Sequence, residues 1–284
     1  MKSYNDIYID VRNELRNLGI EAYSQEARMI VAKAAGKREQ ELLRDMRLYT
    51  SPSVADKAHE YVNRRAAGEP VAYILGEWEF YGLPMCITPD VLIPRPDTEV
   101  MVDVAKDILT GKKMDARVLD LCCGSGCISC AIAHELPASR FVDIDISNAA
   151  LDICRKNISL NRLTSRIICM QADATVSPPC SLGMFDMIVC NPPYIPSEEI
   201  LKLDKSVKDY EPIWALDGGT DGLRFYRSVI KYWKVCLKKG GYLLFEVGEG
   251  QADDVKTMLL SAGFQSADTK KDTSGTERVV IGLY

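Results

Sequence analysis

The sequence FDMIVCNPPY, at residues 185–194, joins a short apolar run to a rigid polar end. Residues 187–190 are apolar and partly β-branched, and the run stops before two prolines, which is typical of a buried strand in a parallel sheet. Pro192 and Pro193 have fixed φ angles and no backbone N–H, and Asn191 is held extended because a proline follows it. The stretch therefore predicts a central strand with hydrogen-bond acceptors at its carboxyl end.

The acceptors at this end are the Asn191 side-chain oxygen and the Pro192 carbonyl, and the ring of Tyr194 follows them in sequence. Such a group of acceptors can hold a planar NH₂ group and stack on the group that carries it. A proline-rich loop in which Asn191 caps a turn is the alternative interpretation of these residues alone. The rest of the chain decides between the two interpretations.

After Lys113 the chain alternates strands and helices. Strands are predicted at residues 117–122, 140–145, 167–171, 185–190, 242–247, 264–267 and 278–283, and helices at 127–136, 149–160, 223–233 and 251–260. This alternation predicts an α/β fold with a mostly parallel seven-stranded sheet and helices on both faces. Ligands bind such sheets at the carboxyl ends of the strands, and we expect the polar segment between Asn191 and Asp221 to shape a substrate cleft there.

The first 70 residues show helical periodicity and few strand signals. Ile7, Val11, Leu15 and Leu18 recur every three or four residues, and similar patterns predict three more short helices before Gly68. Alternation of apolar residues about a turn between residues 77 and 88 then predicts a hairpin. We therefore expect a small all-α bundle at residues 1–75, a β-hairpin linker at 76–95 and the α/β domain at 96–284.

Composition excludes several classes of protein. The 284 residues include 47% hydrophobic and 26% charged residues, enough to fill a core. The net charge is −5 and no cluster of Lys and Arg resembles a nucleic-acid-binding surface, which disfavours DNA or RNA as a substrate. The N-terminus has no apolar signal segment and no run reaches the length of a membrane span, so we expect a cytoplasmic protein.

Ten cysteines are spread over the predicted strands and helices. Cys127 and Cys130 have C-x-x-C spacing, but a second pair that would complete a zinc site is missing. We therefore expect reduced, buried thiols and no metal in the reaction.

The sequence DLCCGSG, at residues 120–126, lies where the first strand of the α/β domain turns into its helix. Gly124 and Gly126 let the backbone approach a ligand closely, although two glycines at a strand end also occur for packing reasons. Asp145 ends the second strand about 20 residues later, where a carboxylate can bind both ribose hydroxyls. Asp143 is a second candidate for the ribose contact. Only the position of each residue along the strand can distinguish the two candidates.

The third glycine of a dinucleotide fingerprint is absent, because Ser129 stands at that position. This disfavours a dehydrogenase and favours a cofactor with an adenosine and no pyrophosphate. S-Adenosyl-L-methionine fits this description. Asp173, after the third strand, is then placed to contact the adenine amino group, with a loop cap as its alternative role.

Together these segments resemble the N5-glutamine methyltransferases that modify peptide-chain release factors, the PrmC/HemK family. The resemblance covers nearly the whole chain, and its specific pieces are LIPRPDTE at residues 92–99, the glycine loop, Asp145 with the residues after it, NPPY at 191–194, and the glycines at 218, 219 and 222. The NPPY sequence alone also marks enzymes that methylate nucleobase amines. The LIPRPDTE segment and the helical segment before it narrow the resemblance to this family.

The resemblance implies a class I Rossmann-like methyltransferase domain with a helical N-terminal domain that docks the substrate protein. The implied reaction moves a methyl group from S-adenosyl-L-methionine to N5 of the glutamine in the GGQ motif of class I release factors. Implied partners are these release factors, with no membrane and no direct nucleic acid, and we expect a monomer. The roles of Arg95 and Glu99 stay open.

The expected site residues fall into three groups. Asn191, Pro192 and Tyr194 are the expected catalytic residues, and residues 191–194, including Pro193, the expected substrate contacts. Expected cofactor contacts are Cys122, Cys123, Gly124, Ser125, Gly126, Asp145, Asp173, Ala174 and Asn191. Two residues depart from the family pattern: Cys122 replaces the first glycine, and Ala174 stands where an aromatic ring often covers the adenine.

Two other functions are compatible with parts of the pattern. A DNA or RNA base N-methyltransferase would use the same acceptors on an exocyclic amine, but such an enzyme needs a basic groove. A non-catalytic adapter would keep the cofactor pocket while its helical domain binds a partner. The presence of both Asn191 and Asp145 argues against such a loss of activity.

Overall fold

The computed structural model describes residues 1–112 and 115–284 and divides them into two compact units. The first unit comprises Met1–Glu77 together with Lys205–Tyr210. The second comprises Trp78–Asp204 and Glu211–Tyr284. Within the described residues, no helix combines the length and the apolar character needed to cross a bilayer.

The first unit is a set of short helices around a common apolar core. Its N-terminal helices are α1 (Tyr4–Asn17), α2 (Tyr23–Ala35), α3 (Glu39–Asp45), α4 (Pro52–Ala66) and α5 (Val71–Leu75). Helix α1 begins with a capping box in which the Ser3 hydroxyl accepts from the Asp6 N–H and the Asp6 carboxylate accepts from the Ser3 N–H. The predicted helices are confirmed as α1–α4, and the five-residue α5 is an addition.

The second unit begins with the predicted hairpin and continues into the α/β fold. The hairpin strands are β1 (Glu77–Phe80) and β2 (Leu83–Cys86). The helices that follow are α6 (Glu99–Lys112), α7 (Cys127–Glu135), α8 (Asn148–Leu160), α10 (Arg224–Tyr232) and α11 (Ala252–Ser261), while α9 (Lys205–Lys208) belongs to the first unit. Helix α7 packs against α6 and α8, and α10 packs against α11.

A seven-stranded sheet forms the centre of this unit. Its strands are β3 (Arg117–Leu121), β4 (Arg140–Asp145), β5 (Ile167–Gln171), β6 (Phe185–Cys190), β7 (Leu237–Glu246), β8 (Ser266–Lys271) and β9 (Glu277–Leu283). Their order is β5-β4-β3-β6-β7-β9-β8, and only β9 pairs antiparallel, with both of its neighbours. The predicted mostly parallel α/β fold is confirmed.

The strand order reverses between β3 and β6. From β3 the chain continues to β4 and β5 on one side of the sheet, and it then returns to β6 and β7 on the other side. Side chains 187–190 of β6 are fully buried, as the apolar run predicts. A crevice forms where the order of a parallel sheet reverses, so this topology places a ligand site at the carboxyl ends of β3 and β6.

Asn157, on α8, forms hydrogen bonds to both the hairpin and the glycine loop. Its side-chain oxygen accepts from the Cys86 N–H at 2.6 Å, and its amide donates to the Cys86 carbonyl at 3.1 Å and to the Ser125 carbonyl at 2.9 Å. The side chain is fully buried. Sequence reasoning missed this residue because its partners are distant in the chain.

We expect Asn157→Ala to lower the free energy of unfolding by about 3–5 kcal/mol, because two backbone groups of the half-buried Cys86 and the buried Ser125 carbonyl lose their partner. Asn161→Ala is the matched control: its amide bonds the Pro84 and Asn157 carbonyls at a partly exposed position, so its loss should cost about 1 kcal/mol or less. Urea unfolding of both variants measures the difference. Equal losses would show that Asn157 has no special bridging role.

Candidate active site

Two adjoining cavities lie at the carboxyl ends of the parallel strands. Their volumes are about 340 and 100 Å³. Both are lined by Cys122, Asp145, Ile146, Trp214 and Phe225, so they form two lobes of one depression. The topology predicts a ligand site at this position, and the combined space suits a nucleoside-sized ligand.

The loop after β3 curves tightly to form one wall of the smaller lobe. Cys122, Gly124 and Gly126 all adopt positive φ angles, of 59°, 52° and 73°. A Cβ on Gly124 would meet nothing within 4 Å, whereas one on Gly126 would lie 2.5 Å from the Cys154 sulfur. Gly126 is therefore required for packing, while Gly124 leaves its surroundings open to a ligand. Cys122 adopts a strained conformation that glycine would tolerate better.

Asp145 ends β4 with its carboxylate held by two backbone N–H groups. One oxygen accepts from Gly124 and the other from Ser147, each at 2.9 Å. The carboxylate is thereby oriented, and each oxygen retains a lone pair for a ligand hydroxyl. Burial raises the pKa of Asp145. This carboxylate therefore has the chemistry needed to bind a vicinal diol.

Asp143 lies on the same strand but lines neither lobe. It is fully buried, and its Oδ2 accepts from the Ser129 hydroxyl at 2.5 Å and from the Cys154 thiol at 3.2 Å. Of the two candidates for the ribose contact, only Asp145 reaches the depression.

The far end of the larger lobe is formed by the turn after β5. Asp173 accepts from both the N–H and the hydroxyl of Thr175 at 2.7 Å, so it caps this turn while also lining the lobe. Ala174 is buried beside it. Trp214 and Phe225 line the same lobe and supply the aromatic surface that Ala174 cannot. Sequence reasoning missed both rings: Trp214 lies in a segment without periodic pattern, and the position of Phe225 in the predicted helix 223–233 does not indicate a ligand contact.

The NPPY residues divide between the depression and the core. Asn191 and Pro193 line the smaller lobe. Across the described parts of the chain, the Asn191 side chain has no hydrogen-bond partner, so its amide is available to a ligand. Pro192 is buried and lines neither lobe. Tyr194 packs against the core, and its hydroxyl lies 3.4 Å from a carboxylate oxygen of Glu246.

The backbone of Tyr194 packs closely against the glycine-rich loop at residues 218–222. A Cβ on Gly218 would lie 2.7 Å from the Tyr194 Cα, and one on Gly222 would lie 2.3 Å from the Tyr194 carbonyl oxygen. The Gly218 N–H donates to the Ile195 carbonyl at 2.8 Å, and the Gln251 amide donates to the Tyr194 carbonyl at 2.9 Å. These contacts explain why the loop contains glycine and how the chain after Asn191 is held.

Gln251 and Glu246 support Tyr194 from the side of β7. The Gln251 side-chain oxygen accepts from the Gly248 N–H at 3.0 Å and from the Tyr226 hydroxyl at 3.2 Å, which fixes the amide orientation. Glu246 is 2% exposed, and burial raises its pKa to about 7. Burial likewise raises the pKa of Tyr194, so its phenol stays protonated at neutral pH. Neither Gln251 nor Glu246 was expected from the sequence.

The LIPRPDTE segment is anchored by a buried carboxylate. Arg95 lines the smaller lobe, and its guanidinium forms an ion pair with Glu211, whose other oxygen accepts from the Ile93 N–H at 3.3 Å. Glu99 accepts from the Tyr81 N–H at 2.9 Å. These contacts give Arg95 and Glu99 structural partners, which spacing in sequence does not identify.

Comparison with known proteins gives the family. The family model "Methyltransferase small domain" matches residues 98–203, and "PrmC N-terminal domain" matches residues 6–76. The release factor glutamine methyltransferase of Geobacter sulfurreducens is 38% identical over 271 residues, which cover 95% of this chain and 93% of that protein. The chain belongs to the release factor glutamine methyltransferase family. The family expected from the sequence is thereby confirmed.

Other comparisons agree. The release factor glutamine methyltransferase of Clostridium acetobutylicum is 34% identical over 278 residues, covering 98% of this chain and 97% of that protein. A solved methyltransferase from Pyrococcus furiosus superimposes with a TM-score of 0.52 at 16% identity, covering 78% of this chain and 96% of that one. The second comparison supports the fold alone. Family membership implies S-adenosylmethionine as cofactor, while the role of each site residue stays a prediction.

We expect Gly222→Ala to lower the free energy of unfolding by about 2–4 kcal/mol, because its Cβ would overlap the Tyr194 carbonyl at a positive φ. Gly263→Ala is the matched control. Gly263 has a φ of 91° but nothing within 4 Å of an added Cβ, so only backbone strain of about 1 kcal/mol applies. Chemical unfolding of both variants measures the difference, and equal losses would argue against close packing on Tyr194.

Proposed function

We propose that this protein transfers a methyl group from S-adenosyl-L-methionine to the side-chain nitrogen N5 of a glutamine, that of the GGQ motif in class I peptide chain release factors. The observation that carries the proposal is the Asn191 amide. It lacks an internal partner among the described residues and lines a lobe that adjoins the Asp145 carboxylate. A methyl donor and an amide acceptor can therefore meet between these two side chains.

The residues around the depression fit the cofactor. Asp145 would present lone pairs to the ribose hydroxyls, and the positive φ angles of Cys122, Gly124 and Gly126 would bring the loop backbone close to the nucleoside. Asp173 and Ala174 would hold the adenine end, where Trp214 and Phe225 would supply apolar surface. S-Adenosylmethionine supplies an electrophilic methyl group on a positively charged sulfur.

The glutamine nitrogen needs help to act as a nucleophile. Its lone pair is conjugated with the carbonyl, as in a peptide bond. In the proposed mechanism, the Asn191 side-chain oxygen and the Pro192 carbonyl accept the two N–H bonds, which orients the lone pair and stabilises positive charge as it develops on nitrogen. The two prolines make these acceptors rigid, because both φ angles are fixed.

Tyr194 lies next to the proposed amide site but packs against the core and lines neither lobe, so the stacking of its ring on the amide plane stays a prediction. Gly218 and Gly222 pack closely against the Tyr194 backbone, and Gln251 donates a hydrogen bond to it. The Asn191 and Pro192 acceptors that precede Tyr194 are therefore held in place without a ligand. This preorganisation is what an electrostatic catalyst needs.

The reaction requires no strong base before methyl transfer. An N-methylated, protonated amide is very acidic, so the proton leaves to water after the nitrogen–carbon bond forms. This agrees with the positions of the two histidines, since His59 contacts Glu14 in the helical unit and His134 lines neither lobe.

Class I release factors are the proposed partners, and the helical unit is the proposed docking surface for them. The proposed compartment is the cytoplasm, where release factors act, and the proposed state is a monomer. The net charge of −5 makes a nucleic-acid substrate the weaker alternative.

The test incubates the full-length protein and S-adenosylmethionine with a class I release factor, a free GGQ-containing peptide and DNA, followed by mass spectrometry of all three. We expect one methyl group on the GGQ glutamine of the release factor. Methylation of DNA adenine or cytosine with no change in the release factor would overturn the proposal.

Asn191→Ala should lower kcat for the release factor by about 10²-fold or more, because it removes one of the two acceptors. Affinity for S-adenosylhomocysteine, measured by calorimetry, should change by less than about threefold, since Asp145 and the loop are untouched. Asn148→Ala, at an exposed asparagine at the start of α8, is the control and should retain full activity. An Asn191→Ala enzyme with the wild-type rate would contradict the role of Asn191 as an acceptor for the glutamine N–H.

A further inference from the structure

Three buried side chains behind the glycine loop form a cluster, of which Cys123 also lines the smaller lobe while Asp143 and Cys154 line neither lobe. They are Cys123, Asp143 and Cys154, and their potential ligand atoms all lie within 4.8 Å of one another. Asp143 and Cys154 are fully buried, and Cys123 is 6% exposed. Two thiols and a carboxylate at this separation are a donor set typical of zinc and similar cations.

A fourth donor lies next to the cluster. Cys169, on β5, is the direct neighbour of Asp143 across the β4–β5 ladder, and its sulfur is 3.6 Å from the Cys154 sulfur. Two thiolates that share a tetrahedral zinc ion lie about 3.8 Å apart, given Zn–S bonds of about 2.3 Å. The Cys154–Cys169 pair therefore already has the spacing of two ligands. Cys169 is half-buried on β5, an edge strand of the sheet.

Two buried carboxylates in this region each have one oxygen without a hydrogen-bond partner among the described residues. Asp143 Oδ2 accepts from Ser129 and Cys154, but among the described residues Oδ1 has no partner. Asp120, the ladder neighbour of Asp143 on β3, is also fully buried with one unpartnered oxygen. Unpartnered buried carboxylate oxygens are costly, and two such groups side by side favour a positive ion.

We propose that Cys123, Asp143, Cys154 and Cys169 bind one thiophilic divalent cation of the zinc class. Each ligating thiol gives up its proton to solvent, and no electron transfer is involved. The site joins the glycine loop to β4, α8 and β5. It stabilises the loop that carries Gly124, whose N–H orients the Asp145 carboxylate. No sequence motif indicates this site, because the four ligands have none of the paired spacing of zinc motifs.

Cd²⁺ is a suitable probe, because its bonds to thiolates absorb in the ultraviolet. Reduced, full-length protein is titrated with Cd²⁺ under anaerobic conditions, with a competing chelator to suppress weak binding. We expect a thiolate band that saturates at one equivalent. Cys154→Ser and Cys169→Ser should each weaken this binding at least tenfold, whereas Cys180→Ser, at an exposed thiol outside the cluster, should not.

Cys154→Ser alters a fully buried position, so the half-buried Cys169→Ser decides the result if the first variant does not fold. No band at one equivalent, or a band that Cys169→Ser leaves unchanged, would overturn the proposal. A band lost in Cys180→Ser would also overturn it, because the metal would then be bound elsewhere.

Alkylation maps the site independently. With one equivalent of Zn²⁺, the reaction of Cys169 with a maleimide should slow at least tenfold, while that of Cys180 should be unchanged, as read by peptide mass spectrometry. Equal rates for Cys169 with and without Zn²⁺ would contradict the proposed ligation.

Discussion

The parallel pairing of β3 with β6 is the constraint on which the site depends. In this ladder Leu121 is the partner of Cys190, so the next residues, Cys122 and Asn191, leave the sheet side by side. A shift of one residue in a strand turns every side chain to the opposite face. Residues 187–190 of β6 are fully buried on both faces of the sheet, so a shift would exchange side chains of different shape between two packed faces and disrupt both. The same packing that stabilises the sheet therefore places Asn191 beside the glycine loop.

The loops at the carboxyl edge of the sheet hold Asp145 and Tyr194 in fixed positions. Backbone N–H groups of the glycine loop hold Asp145, and Gly218, Gly222 and Gln251 hold Tyr194. The first set of partners belongs to the β3–β4 half of the sheet, and the second belongs to the β6–β7 half. A preorganised site of this kind needs little rearrangement during the reaction, which suits a substrate as unreactive as a carboxamide.

Much of this architecture could be predicted from the sequence. The alternation of apolar strands and amphipathic helices determines the sheet, and two turn signals, the glycine loop and the Asn-Pro-Pro segment, mark the ends of β3 and β6. The specific function came from the resemblance of longer segments, since Asn191 and Asp145 alone fit several methyl acceptors. Family comparison has confirmed that resemblance.

The remaining features depend on tertiary structure. Alternation could not decide between Asp143 and Asp145, because both lie on the same face of one strand, and only the coordinates show which one reaches the depression. Trp214 lies in a segment without periodicity. Gln251 and Asn157 act through partners 57 and 71 residues away, so no local pattern reveals them.

The most direct measurement is a crystal structure of the full-length protein with S-adenosylhomocysteine. We expect the adenine in the larger lobe near Ala174 and Phe225, the ribose hydroxyls on the Asp145 carboxylate, and the sulfur facing the Asn191 side chain. A nucleoside bound away from Asp145, or an Asn191 amide turned away from the sulfur, would contradict this account.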